Sequence, residues 1–212
     1  MDHWAIIPAK PFKLGKSRLA AILSANERVA LNRRLFERVF DAAISALGAD
    51  RTIVVTADTE LLAQVGHQSA HAAQEHTTGD LNAALAQASR YASERGARSI
   101  LILPSDLADI TIDDFAALRN ALEPAPSCVI APDDSGQGTN ALALAPPSAD
   151  FFRFGPKSFA AHIELAAARG LATRIVRRPG LAHDLDTPES YQQFVNRRRE
   201  VKLLQDGDFV PS

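Results

Sequence analysis

The feature that most constrains this chain is a regular alternation of short, apolar, β-branched runs with longer segments of helical periodicity. Ala5-Ile6-Ile7, Thr52-Ile53-Val54-Val55-Thr56, Ser99-Ile100-Leu101-Ile102-Leu103, Cys128-Val129-Ile130-Ala131 and Thr173-Arg174-Ile175-Val176 read as strands. Ser24-Ala25-Asn26-Glu27 has the form of a capping box, and Leu31, Leu35, Val39, Ala42 and Leu47 follow at roughly helical spacing before Gly48. Leu81 to Ala92, capped by Asp80 and closed by Gly96, predicts a second helix. Ile112 to Leu122 and Phe159 to Ala168 predict two more, and a last one starts near Thr187-Pro188. Strands this apolar need cover on both faces, so the pattern predicts an α/β fold with three layers, α/β/α, around a mostly parallel sheet. No repeat or long linker interrupts it. The expectation is one domain over residues 1–196, followed by a charged, then Gly/Pro-containing tail over 197–212 that is a surface appendage or the interface arm of a homodimer.

Charge and cysteine usage narrow the function classes. The 212 residues carry 23 Lys+Arg against 25 Asp+Glu, a net charge of −2, which lacks the basic signature of a nucleic-acid or membrane-surface binder. The single cysteine, Cys128, excludes an intrachain disulfide and a multi-cysteine metal site, and its apolar run marks it as a buried structural thiol. No apolar stretch is long enough to span a bilayer. Met1-Asp2-His3-Trp4 does not resemble a signal peptide, so the expected location is the cytoplasm.

In open α/β sheets ligands bind beyond the carboxyl ends of the strands. After the first strand comes Pro8-Ala9-Lys10-Pro11-Phe12-Lys13-Leu14-Gly15-Lys16-Ser17-Arg18, with four cations within nine residues. Gly15-Lys16-Ser17 invites a P-loop reading, but Lys10 stands where that motif needs glycine, and Pro11 removes an N–H from the would-be cradle. The remaining readings are an anion-binding loop and a solvated basic one. Past the Ser99 strand lies Pro104-Ser105-Asp106-Leu107, whose carboxylate is well placed to hold a hard cation such as Mg²⁺. Past the Thr173 strand lies His183-Asp184-Leu185-Asp186-Thr187-Pro188. In an extended segment Asp184 and Asp186 point the same way and repel unless a cation sits between them. Taken alone, Asp186 reads equally well as a helix cap with Glu189.

Asp133-Asp134-Ser135-Gly136-Gln137-Gly138-Thr139-Asn140 reads either as a loop allowing close backbone approach to phosphate or base, or as a plain hairpin turn. His67 and His71, with Glu75 and His76 nearby, have the spacing of a helical zinc pair but lack the metalloprotease glutamate. No nucleophile elbow, Rossmann glycine fingerprint or aromatic-interleaved basic stripe is present. A basic loop and separated aspartates after three strands make a logical site for a nucleoside triphosphate with a divalent metal.

Several motifs, in order, resemble one family, the phospho-acid guanylyltransferases of coenzyme F420 biosynthesis. They are Pro8-Ala9-Lys10-Pro11 with Lys16-Ser17-Arg18-Leu19-Ala20, then Leu81-Asn82-Ala83-Ala84-Leu85 and Leu103-Pro104-Ser105-Asp106-Leu107. Gly138-Thr139-Asn140-Ala141-Leu142, Phe154-Gly155-Pro156-Lys157-Ser158-Phe159 and Asp184-Leu185-Asp186-Thr187-Pro188 complete them. The resemblance implies a glycosyltransferase-A-like, Rossmann-like nucleotidyltransferase fold. It also implies transfer of GMP from GTP to 2-phospho-L-lactate, phosphoenolpyruvate or 3-phospho-D-glycerate. It implies Mg²⁺ on Asp106, Asp184 and Asp186, and a triphosphate neutralised by Lys10, Lys16 and Arg18. Leu81-Asn82 would lie near guanine, and Thr139 and Asn140 would line the acceptor or nucleotide pocket, with Gly155, Lys157 and Ser158 as further binding residues. Asp80, Ala108 and Lys157 depart from the family pattern of glycine, proline and glycine, and a cation at 157 is expected to bear on acceptor choice. The rival readings are a nucleotidyltransferase acting on a sugar phosphate or molybdopterin, and a non-catalytic GTP-binding protein.

Overall fold

The computed structural model describes residues 2–75 and 79–205. Fourteen main elements follow in order: β1 (His3–Pro8), α1 (Ala25–Leu47), β2 (Thr52–Thr56), α2 (Thr59–His67), β3 (His71–Gln74), α3 (Leu81–Glu94), β4 (Ser99–Ile102), α4 (Ile112–Ala121), β5 (Ser127–Pro132), β6 (Thr139–Ala145), α5 (Ser158–Ala168), β7 (Ala172–Ile175), α6 (Pro179–Ala182) and α7 (Pro188–Gln205). The strands form one sheet in the order β3-β2-β1-β4-β6-β5-β7. β6 is antiparallel to both β4 and β5 and alone runs against the rest. The other pairings are parallel.

Side-chain alternation divides the core into two layers. Ala5, Ile7, Val54, Leu101, Val129 and Ala143 pack with Phe36, Val39 and Phe40 of α1 and Phe115 and Leu118 of α4. The intervening Trp4, Ile6, Ile53, Ile100, Ile102, Cys128 and Leu144 pack on the opposite face with Leu85 and Ala88 of α3 and Ala166 of α5. Cys128 is therefore fully enclosed, and burial pushes its thiol up to about 12. The strands need helices on both sides because both of their faces are apolar.

The capping residues act as read. Ser24 accepts from the Glu27 backbone N–H while Glu27 accepts from the Ser24 N–H at 2.8 Å, an arrangement that stabilises the start of α1 by about 1 kcal/mol. Asp80 Oδ1 accepts from Ala83 N–H at the start of α3. Four elements go beyond the sequence expectations: α2, β3, β6 and the four-residue α6. His67 closes α2 and His71 opens β3, so the two histidines do not share a helix. His71 Nε2 lies 3.0 Å from the Asp50 carbonyl and Nδ1 lies 3.0 Å from the Tyr91 hydroxyl, which leaves neither nitrogen for zinc. His76 lies outside the described residues. Segment 133–138 is the turn of the β5–β6 hairpin, the second of its two readings, closed by Asp133 N–H donating to the Gly138 carbonyl. The last helix passes through the expected boundary at 196/197 and continues to Gln205; the tail from 206 onward lies outside the described residues.

From β1 the chain moves outward to β2 and β3, then returns to place β4 on the other side of β1. The crevice between the carboxyl ends of β1 and β4 is thus a topological switch point, where such sheets bind ligands.

Candidate nucleotide and metal site

The basic loop leaves β1 at this crevice and enters a short 3-10 turn at Ser17–Ala21. Lys16, just before that turn, adopts the left-handed conformation at φ 58°, ψ 34°, an uncommon backbone for a residue with a side chain. Its side chain is only 4% exposed, and Nζ donates to Asp106 Oδ2 at 2.9 Å and to Asp186 Oδ1 at 2.7 Å. Burial alone would lower the ammonium's pKa, but the Asp106 and Asp186 carboxylates outweigh it and the net direction is up.

Asp106 lies just beyond β4. Asp184 and Asp186 come from an extended strap between α6 and α7, and Leu107 pairs with Asp184 in an isolated antiparallel bridge. Leu185 between them is fully buried against Leu35 and Ala108. A buried residue flanked by two aspartates in extended chain turns both acids the same way. One oxygen from each of Asp106, Asp184 and Asp186 lies within 4.8 Å of the others. Burial, then the charges of Asp106 and Asp186, push the Asp184 carboxyl up to about 6. Like charges gathered in a half-buried place favour a bound cation. Asp186 is not the cap of α7: Thr187 N–H donates to Ser190 Oγ, and Ser190 N–H donates to Thr187 Oγ1.

Besides the Leu107–Asp184 bridge, the strap is pinned at two points. The side-chain amide of Asn140 donates to the Ala182 carbonyl at 2.9 Å. Arg178 pairs with the buried Asp114, which also accepts from the Thr111 N–H at 2.9 Å. Gly180 sits so close to this pair that a Cβ there would overlap the Asp114 carboxylate and lie 2.9 Å from the Asp109 carbonyl oxygen.

Two cavities meet at the acids. The larger, of about 570 Å³, is lined by Lys10, Lys16, Arg18, Leu81, Asp106 and Phe154 among others. That volume lies within the range of small-ligand pockets. The smaller, of about 230 Å³, is lined by Arg18, Asp134, His183, Asp184, Asp186 and Arg197 among others. Asp186 and Arg18 face both. The structure thus brings together Lys10, Lys16, Arg18, Leu81, Asp106, Asp184 and Asp186.

The remaining expected residues line neither cavity. Asn82 donates to the Phe154 carbonyl at 3.0 Å and accepts from its N–H at 2.8 Å, so its amide holds the 154–158 segment in place. Ser158 Oγ accepts from the Thr139 N–H at 2.9 Å. Thr139 Oγ1 lies 3.0 Å from His162 Nδ1, and His162 Nε2 accepts from the Arg153 N–H at 3.0 Å. Burial, then Arg153, push His162 down to about 4, which keeps the ring neutral. Gly155, at φ 140°, and the exposed Lys157, at φ 58°, form the bend before α5. Sequence reasoning gave His162, Asp134, His183 and Arg197 no role. The first is a lone histidine in a helix, and the others meet only in three dimensions.

This architecture is that of nucleotidyltransferases. A nucleotidyl transferase from Methanothermobacter thermautotroptrophicus superposes with a TM-score of 0.66 over 92% of this chain and 98% of that one, at 16% identity. Residues 3–196 match the family model described as "Guanylyl transferase CofC like", and the chain belongs to that family. Similar relatives are the phosphoenolpyruvate guanylyltransferase of Rubrobacter xylanophilus, 41% identical across 89% of this chain and 91% of that one, and the 3-phospho-D-glycerate guanylyltransferase of Colwellia psychrerythraea, 30% identical across 88% of each. No helix among the described residues is long and apolar enough to cross a membrane.

Proposed function

We propose that this guanylyltransferase moves GMP from GTP to the phosphate of a small phospho-acid and releases pyrophosphate, a step in coenzyme F420 biosynthesis. The observation that carries the reading is the joining of three carboxylates and Lys16 at the rim of a cavity that also holds Lys10 and Arg18. Phosphoenolpyruvate is the first acceptor to test, because the relative named for it is 41% identical and the one named for 3-phospho-D-glycerate is 30% identical.

A phosphate oxygen of the acceptor forms a bond to the α-phosphorus of GTP, and the bond from that phosphorus to the β-bridging oxygen breaks. Pyrophosphate leaves with the electron pair. A phosphate monoester loses its second proton near pH 6, so the attacking oxygen is already anionic at neutral pH and no general base is needed. What remains for the protein is alignment and charge neutralisation. Lys10, Lys16 and Arg18 offset the triphosphate, and Leu81 offers an apolar contact to the base. Asp106, Asp184 and Asp186 supply hard oxygen donors, the kind Mg²⁺ takes, gathered within 4.8 Å of one another. When bound, Mg²⁺ supplies positive charge to the phosphate oxygens.

The test is pyrophosphate release from GTP and Mg²⁺ with each of the three phospho-acids and a no-acceptor control. Release with one acceptor, lost when ATP replaces GTP, is the expected result. Release with none, or equal release without acceptor, would overturn the reading.

A further inference from the structure

Lys16 is the one feature of this site that the chemistry of transfer does not require in its observed place. A lysine meant to meet a triphosphate belongs in the open cavity. Here the ammonium is turned inward onto two of the three carboxylates that would hold a metal. Its contacts of 2.9 and 2.7 Å are charge-assisted hydrogen bonds of full strength. The left-handed backbone at this residue shows that the loop fixes where the side chain starts, since such a conformation persists only where surrounding structure enforces it. Lys16 also lines the larger cavity beside Lys10 and Arg18. Its flexible stem can therefore swing from the carboxylates to a phosphate without moving the loop.

We propose that Lys16 is a tethered counter-cation that sits on Asp106 and Asp186 until a nucleotide triphosphate draws it off, so that divalent-metal and nucleotide binding are positively linked through this side chain. An ion within coordination distance of the same oxygens would lie beside the ammonium and repel it, and the 4% exposure of the Lys16 side chain leaves little water on that side to screen the repulsion. Phosphate oxygens in the cavity offer Lys16 an alternative partner and leave the acids free. By linkage, whatever factor the nucleotide adds to metal affinity, the metal adds to nucleotide affinity. The inference rests on the nucleotidyl-transfer reading for the identity of the displacing ligand.

The test is Mn²⁺ binding to the full chain, by calorimetry and by the signal of free Mn²⁺ in electron paramagnetic resonance, without any turnover. In nucleotide-free protein Lys16→Met should bind Mn²⁺ about tenfold more tightly than the wild type, within the usual span of coupling factors. The gain in Mn²⁺ affinity on adding a non-hydrolysable GTP analogue should shrink by a similar factor. Lys16→Gln should behave the same way and keeps the test decisive should the methionine variant not fold. Lys13→Met removes the same charge from an exposed position on the same loop and should leave Mn²⁺ affinity unchanged. Unchanged or weaker Mn²⁺ binding in both Lys16 variants would overturn the proposal. So would an equal gain in Lys13→Met, which would make the effect one of bulk charge. Because binding is read without catalysis, absence of guanylyl transfer would leave a positive result standing, and a negative result would leave the transfer reading untouched.

Discussion

Individual side chains at this site have sharply different roles although several share a type. Asp106 sits in the turn beyond β4, next to the Leu107–Asp184 bridge, with its side chain 27% exposed, whereas Asp186 is 46% exposed on a strap. Removing Asp106 takes away a metal donor and a partner of Lys16 together. Asp106→Ala is therefore expected to lose nearly all turnover, by a factor of 10³ or more on the order of one lost transition-state stabiliser. Substantial residual turnover in a steady-state pyrophosphate assay would contradict a metal role. His162 carries a different prediction. Its ring is held neutral with a pKa near 4 against the ordinary 6.5, so between these values the unfolded chain binds a proton that the folded chain refuses. Stability from this residue is complete above about pH 6.5 and is lost as pH falls toward 4. At ~1.4 kcal/mol per unit the loss approaches about 3 kcal/mol. Denaturant unfolding should show His162→Gln with a flatter pH dependence across that window, and an unchanged slope would count against it. Asp106, Asp184, Asp186 and the basic residues were legible because charges placed after apolar strands stand out in a sequence. His162 was not, because its importance comes from Thr139 and Arg153, which lie in other elements.

Among the elements, the strap from Arg178 to Asp186 decides whether the acids meet. It has no long helix of its own. Its position comes from Asn140, from the Arg178–Asp114 pair and from the pairing of Asp184 with Leu107. Gly180 is where the strap comes closest to its support. Asp114 is held by Thr111 as well as Arg178 and cannot simply swing aside for a methyl group. Gly180→Ala should cost roughly 1–3 kcal/mol of stability, as overpacking does. It should also weaken Mn²⁺ binding by displacing Asp184 and Asp186. Thermal unfolding with and without Mn²⁺ checks both, and wild-type values in each would show that the strap does not position the acids. The sequence showed Asp184 and Asp186 on one side of the chain by their spacing. It did not show what fixes them, since Asp114 and Asn140 are distant in sequence. β6 was missed for a related reason. Its small residues, Ala141, Ala143 and Ala145, make a weak strand signal, and its pairing with both neighbours creates the strand.

At the scale of the molecule, the sheet order carries the function. Lys16 and Asp106 are 90 positions apart, yet the return of the chain from β3 to β4 puts the loops after β1 and β4 side by side. The alternation of strands and helices made an α/β sandwich legible, and the family motifs made its kind legible. The strand order was not, because periodicity reports which faces are buried and says nothing about neighbours. The two cavities that flank the acids follow from that order, one beside the basic loop and one beside the strap. At this junction the proposed reaction passes the α-phosphorus of GTP to an acceptor phosphate. It is tested most directly by parallel reactions with GTP labelled at the α-phosphate or at the γ-phosphate, in the presence of phosphoenolpyruvate and Mg²⁺. The expected result is α label in an acceptor-dependent diphosphate-linked product and γ label in pyrophosphate, both absent with Asp106→Ala. Label from the γ position in inorganic phosphate, or α label in free GMP with no acceptor-linked product, would contradict it.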